Sequence, residues 1–171
     1  INNAAGEAVA GGSSITQQYV KNALIERGRI NNDAELIDQA TERSIGRKIN
    51  EARYAISLEK TMSKDQILTG YMNLAQFGRS EYGVEAAAQR YFSKHAADLN
   101  LVESATLAGI TQSPAKWDPI QHPEASQERR DTVLFTMLTN GYITQEEHDA
   151  AVATPVADTL RVSEVQNGCE S

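Results

Sequence analysis

Gly11-Gly12-Ser13-Ser14-Ile15-Thr16-Gln17-Gln18-Tyr19-Val20-Lys21-Asn22 is the stretch whose reading decides the fold. Two glycines and two hydroxyls give way at once to helix-forming residues. Ser14 followed three positions later by Gln17 fits a capping box, which makes Ser14 the N-cap of a helix. On that helix Gln18, Lys21, Asn22 and Ile25 share one side, while Ile15, Tyr19, Val20, Ala23 and Leu24 cover much of the rest. Two readings are open. The polar side is a solvated face, as on most amphipathic helices, or its amides and ammonium hold an anionic or sugar-like ligand beside the helix N-terminus. Spacing alone does not choose between them.

The chain around this stretch has 171 residues, enough for one domain with a sizeable core. Hydrophobic residues make up 40% and charged residues 23%, as in ordinary globular proteins, and the formal net charge of -7 argues against general nucleic-acid binding. The apolar runs are far short of a membrane span, and no signal peptide is visible at Ile1. Cys169 is the only cysteine, so neither an internal disulfide nor a zinc site is expected. His95, His122 and His148 are scattered among charged neighbours and read as surface residues. The abrupt start at Ile1 suggests a piece of a longer protein. Residues 1–153 read as the domain, and 154–171, which lose helical periodicity around Pro155 and Gly168, as a linker.

Gly28 and a polar cluster between Ala23 and Asn32 suggest a loop or a broken helix end. Asp33 opens a long helical stretch to about Thr61, in which Ile45, Ile49, Ala52 and Ile56 form a stripe expected to face the core. Opposite stand Arg43, Arg47 and Glu51, four residues apart, with Lys48 beside them. One reading is surface ion pairing, worth a few tenths of a kcal/mol in the cation-before-carboxylate order. The other is a cradle for a diphosphate, whose oxygens guanidinium groups match in a bidentate way.

Capping boxes recur at Ser63 with Gln66, Asn100 with Glu103, and Thr144 with Glu147, the last starting the final helix expected. Val84 to Phe92 reads as an alanine-rich helix, Leu101 to Ile110 as a buried one, and Pro123 suits the first turn of a helix stopping at Gly141. Trp117 reads as a packing residue. The sequence shows no internal repeat, low-complexity run or convincing strand, and the fold class expected is all-α.

The run Ser13-Ser14-Ile15-Thr16-Gln17-Gln18, then Lys21-Asn22, resembles the G-x-[ST]-[ST]-I-T-Q-Q-x-x-K-N motif of the peptidoglycan glycosyltransferases, the family 51 domains of bifunctional penicillin-binding proteins. Arg47-Lys48-Ile49-Asn50-Glu51-Ala52 resembles that family's R-K-x-x-E-A motif, with Arg43 matching an arginine just upstream. Lys64 to Asn73 resembles its K-x-x-I-L-x-x-Y-[LM]-N segment, although Thr69-Gly70 stands where many members carry Glu-Leu. Arg129-Arg130 to Met137 resembles its last motif and reads as mainly structural. The resemblance runs from Ala10 to Pro155, with the motifs in family order.

The resemblance implies a lysozyme-like, all-helical domain, incomplete at its N-terminus, at the outer face of the bacterial cytoplasmic membrane. Such domains polymerise lipid II into glycan strands with release of a lipid-linked diphosphate. It implies that Lys21, Arg43, Arg47 and Lys48 hold the diphosphate, that Gln18 and Asn22 position substrate, and that Ser13, Thr16, Gln17 and Asn73 line the same site. Glu51 matches the family's second glutamate, which organises the site, in some members through a divalent cation; no other cofactor is implied. The partners implied are lipid II, the growing strand and, through the parent protein, the membrane surface, with no nucleic acid. The family's E-D-x-x-F-x-x-H motif is missing, the sole upstream carboxylate is Glu7, and this chain alone is expected to be inactive. An exposed groove left by a missing segment is expected to favour self-association. The alternatives are a lysozyme-like hydrolase, which needs paired carboxylates, and a non-enzymatic helical binding module.

Overall fold

A computed structural model describes residues 13–163. They fall into two compact units divided between Tyr71 and Met72. Every extended element is an α-helix apart from one 3-10 turn, and among the described residues the sole β contact is an isolated antiparallel bridge between Gln76 and Tyr82. The all-α expectation holds. No described helix is long and apolar enough to cross a membrane. Ile1–Gly12, with Glu7 and the two glycines of the opening stretch, lie outside the described residues, as do Gly168 and Cys169.

The first unit is built on α1 (Ile15–Asn31), which packs against both α2 (Ala34–Thr41) and α3 (Ile45–Glu59). Ser14 caps α1 through the expected box, with its hydroxyl accepting from the Gln17 N–H. The loop or broken end expected between Ala23 and Asn32 does not occur. α1 continues through Gly28 and ends at Asn32, which adopts a left-handed φ of 53°. Gly28 serves packing: a Cβ there would sit 2.6 Å from Ile37 Cγ1 on α2. Asp33 then caps α2, accepting from the Leu36 N–H at 3.0 Å.

The single long helix expected from Asp33 is two helices. Glu42 ends α2, and Ser44 starts α3 by accepting from the Arg47 N–H at 3.2 Å. The expected orientation of α3 is also overturned. Ile45, Ile49 and Ile56 are 81%, 56% and 60% exposed, whereas Glu51 and Ala55 are the buried residues of this helix. The small side chain of Ala55 lets α3 lie close to its neighbours, and the Glu51 carboxylate is tolerated because cations neutralise it.

Helix α4 (Lys64–Leu74) carries the boundary between the units. Ser63 and Gln66 form its capping box, and Ile67 and Tyr71 are buried. At Gly70 a Cβ would lie 2.6 Å from Tyr19 Cζ, so the ring of Tyr19 rests on bare backbone.

The second unit contains α5 (Val84–Phe92), the 3-10 turn Ala96–Asp98, α6 (Leu101–Ile110), α7 (Pro123–Thr139), α8 (Gln145–Val152) and α9 (Val156–Thr159). The capping boxes at Asn100 and Thr144 form as expected, and Pro123 occupies the first turn of α7. Ala105, Leu134 and Ala151 form a buried cluster flanked by Leu101, Val102, Val133, Ile143 and Val152. Arg130 is fully buried. Its guanidinium meets the Asp131 carboxylate at 2.6 Å and donates to the carbonyls of Thr154 and Val152 at the end of α8, where a cation suits the helix dipole.

The stretch read as a linker from Thr154 is docked on this unit as far as Ser163. Val156 is fully buried in α9, a helix beyond the last one expected, and α9 packs on α6 and α7. Residues 160–163 then run along the end of α5, with the Arg161 N–H donating to the Tyr91 carbonyl at 2.8 Å and the Ser163 N–H to that of Arg90 at 3.0 Å. Proline and scattered polar residues hid this docking, because it depends on backbone hydrogen bonds and on the one buried side chain of Val156.

Candidate active site

In the first unit the start of α1 and the first turns of α3 meet. Lys48 Nζ donates to Ser13 Oγ at 2.5 Å, a contact between residues 35 positions apart. Gln18 Nε2 donates to the Ser13 carbonyl at 3.1 Å, and Gln18 Oε1 accepts from the Tyr71 hydroxyl at 3.4 Å. Ser13 is thus held from both sides, by α3 through its hydroxyl and by α1 through its carbonyl.

Glu51 is 3% exposed, and each carboxylate oxygen faces a cation. Arg47 Nη1 donates to Oε1, and Lys48 Nζ stands 3.1 Å from Oε2. Arg47 Nε donates to the Glu42 carbonyl, so the break between α2 and α3 supplies the acceptor that orients the guanidinium. The expected surface pairing is therefore a fixed cluster in which one buried carboxylate aligns two cations. The cluster carries one net positive charge, and the Lys48 side chain remains 47% exposed, open to an anion. The carboxylate orients both cations by accepting from them.

The other residues of the opening motif divide by what they bond. Thr16 is 4% exposed and donates to Glu59 Oε1 at 2.5 Å, while the Gln17 amide oxygen accepts from the Ser14 N–H at 3.0 Å. These two side chains are engaged in holding the fold. The Thr16 hydroxyl, with Lys64 second, holds the Glu59 carboxyl below its usual range. Lys21 and Asn22 are half-buried, and their side chains make no hydrogen bond or ion pair with the described residues. Arg43 is exposed on the connection before Ser44, off the helix where it was expected beside Arg47. Asn73 is exposed on the part of α4 that belongs to the second unit.

The first unit has two cavities near these helices, of which one reaches the cluster. One, of about 140 Å³, reaches Arg47, Glu51, Asn50 and Gln39. The other, of about 550 Å³, lies between α1 and α3 and shares Leu24 and Tyr54 with the first. Sequence reading gave these residues no role: Asn50 fills a variable position of its motif, Tyr54 lies off the α3 stripe that periodicity assigned to the core, and Gln39 lies on α2 outside every motif.

Glu51 also bears on metal binding. Both of its oxygens face cations, and no three His, Cys, Asp or Glu among the described residues are grouped to hold a metal ion. This set does not fit a divalent cation.

Residues 1–138 match the family model described as Transglycosylase. The chain is 44% identical over 156 residues to penicillin-binding protein 1A of Aquifex aeolicus, covering 91% of this chain and 20% of that protein. It is 39% identical over 157 residues to penicillin-binding protein 1A of Pseudomonas aeruginosa, covering 92% of this chain and 17% of that one. In structure it is similar to penicillin-binding protein 1A from Haemophilus influenzae, with a TM-score of 0.53, 27% identity, and coverage of 90% of this chain and 18% of that chain. The chain thus spans about a fifth of the length of these relatives. With the helical fold, the family model and these relatives in agreement, the chain belongs to the transglycosylase family.

Proposed function

We propose that this chain is the peptidoglycan glycosyltransferase domain of a penicillin-binding protein, acting on lipid II and the growing glycan strand outside the cytoplasmic membrane. The observation that carries this reading is the cluster in which buried Glu51 aligns Arg47 and Lys48 while Lys48 reaches Ser13. In the reaction the acceptor sugar's 4-hydroxyl attacks the donor's anomeric carbon. A new C–O bond forms, the bond to the lipid-linked diphosphate breaks, and the hydroxyl proton passes to a base. Charge builds on the departing diphosphate, and preorganised cations stabilise it most at that moment. Lys48, Arg47, Lys21 and Arg43 are the groups we assign to it, with Gln18, Asn22 and Ser13 toward the sugars.

Glu51 is assigned as organiser of the cations, so the proton goes elsewhere and the 171 residues alone are proposed to be inactive. The same geometry speaks against a hydrolase built on Glu51, because such an enzyme needs paired carboxylates and Glu51 meets two cations instead. Calorimetric titration with a moenomycin-type phosphoglycolipid tests the reading. We expect saturable binding that the Arg47→Ala, Lys48→Ala double variant weakens at least tenfold. Equal binding by a folded double variant would sink it.

A further inference from the structure

We propose that Tyr71 is a positioning residue that holds Gln18, and through Ser13 the ammonium of Lys48, in the geometry that binds an anion. This rests on the cationic-cradle reading above and adds to it a group that does not touch the ligand. Tyr71 lies on α4 one turn beyond Ile67, and the two are 9% and 2% exposed, so its ring is anchored. Next to it α4 comes close to α1, since a Cβ at Gly70 would lie 2.6 Å from Tyr19 Cζ. This approach brings the Tyr71 hydroxyl to 3.4 Å from Gln18 Oε1.

From that hydroxyl a run of hydrogen bonds leads to the cluster. Gln18 Nε2 donates to the Ser13 carbonyl at 3.1 Å, and Ser13 Oγ accepts from Lys48 Nζ at 2.5 Å. A carbonyl only accepts and a tyrosine hydroxyl can donate, so these two neighbours admit one orientation of the Gln18 amide. An ammonium has three N–H donors. At Lys48 one goes to Ser13 Oγ and one to Glu51 Oε2 at 3.1 Å, which leaves the third for an anion. The first two fix its direction, so a shift of Ser13 turns the ammonium. Glu51 shares a helix with Lys48, whereas Ser13 precedes α1 and relies on Gln18. The side of Ser13 is the one that needs steadying, and Tyr71 is the buried group that supplies it. Its contact is long, as hydrogen bonds in unliganded sites often are, and it tightens once the site is filled. Tyr71 therefore contributes more to ligand binding than to the fold.

The test is a mutant cycle, read by calorimetric titration with a moenomycin-type phosphoglycolipid. Tyr71→Phe keeps the ring and removes the hydroxyl, and should weaken binding about fivefold, as loss of one hydrogen bond does. Gln18→Ala should weaken it at least as much, and Tyr71→Phe added to Gln18→Ala should cost nothing more. Ile67→Val loosens α4 one turn away without touching the hydrogen bonds, and should leave affinity within about twofold. Binding by folded Tyr71→Phe equal to the parent's overturns the proposal, as do losses that multiply across the cycle. So does an equal loss in Ile67→Val, which would make the effect one of packing. Without ligand, the Gln18 side-chain amide signals in a heteronuclear NMR spectrum, identified by their loss in Gln18→Ala, should shift in Tyr71→Phe. Unmoved signals remove the contact and overturn the proposal, and no binding by the folded parent overturns it together with the cradle. Failure of the cradle alone reads differently: Arg47→Ala, Lys48→Ala would bind as the parent does while Tyr71 and Gln18 stayed coupled, leaving Tyr71 to position Gln18 and taking Lys48 out of the site.

Discussion

Helices α3 and α6 are both expected to bury apolar residues, and only α6 does so throughout. In α6 the apolar residues are the core: Ala105, Leu107 and Ile110 are at most 2% exposed. In α3 the isoleucines face outward, and the buried positions are Glu51 and Ala55. Periodicity states that a segment is an amphipathic helix; it does not state which face has a partner. What decides the matter in α3 is charge pairing. Glu51 finds Arg47 and Lys48 on its own helix, so its burial is compensated before any other element is involved.

Matched truncations are the sharpest way to break this comparison. Ile110→Ala should cost about 3 kcal/mol, since the side chain is fully buried and leaves a cavity. Glu51→Ala should come next, at about 2 kcal/mol, because it frees two adjacent cations that can partly turn to water. It should also weaken phosphoglycolipid binding. Ile49→Ala should change stability by about 0.5 kcal/mol or less, as it is more than half exposed. Urea or thermal unfolding of the three variants checks the order. A large loss at Ile49 would show that the outward stripe of α3 is covered in solution.

A smaller effect lies in the second unit. The Glu85 carboxyl is pushed down to about 2, first by the N–H of Ala96, then by His95 and Gln89. A depressed carboxyl contributes stability above its unfolded value, near 4.5, and loses it as pH falls through the folded one. Unfolding followed between pH 5 and 2 should therefore show a slope that Glu85→Gln reduces. An unchanged slope would remove Glu85 from the acid response.

Much of this was legible because caps are local. Ser14 with Gln17, Ser63 with Gln66, Asn100 with Glu103 and Thr144 with Glu147 each satisfy orphan amides within four residues, so sequence alone specifies them. The pairing of Arg47 with Glu51 was readable for the same reason. The misreadings share a cause in tertiary contact. Gly28 looks like a breaker until Ile37 is seen against it. Ser44 restarts a helix without the Glu or Gln that would announce a box. The contact of Lys48 with Ser13 joins residues whose proximity no periodicity encodes.

The strap at residues 160–163 has one more consequence. A helix ordinarily frays from its last turn, because those carbonyls have no amides beyond them. In α5 the carbonyls of Gln89, Arg90 and Tyr91 accept from Ser163 Oγ, the Ser163 N–H and the Arg161 N–H, while Ser93 Oγ donates back to the Arg161 carbonyl. The end of α5 and the strap therefore share one opening event, and neither loosens without releasing the other. A local fluctuation at Ser163 is felt as fraying at Tyr91, which ties the outgoing chain to the buried aromatic pair Tyr91 and Phe92.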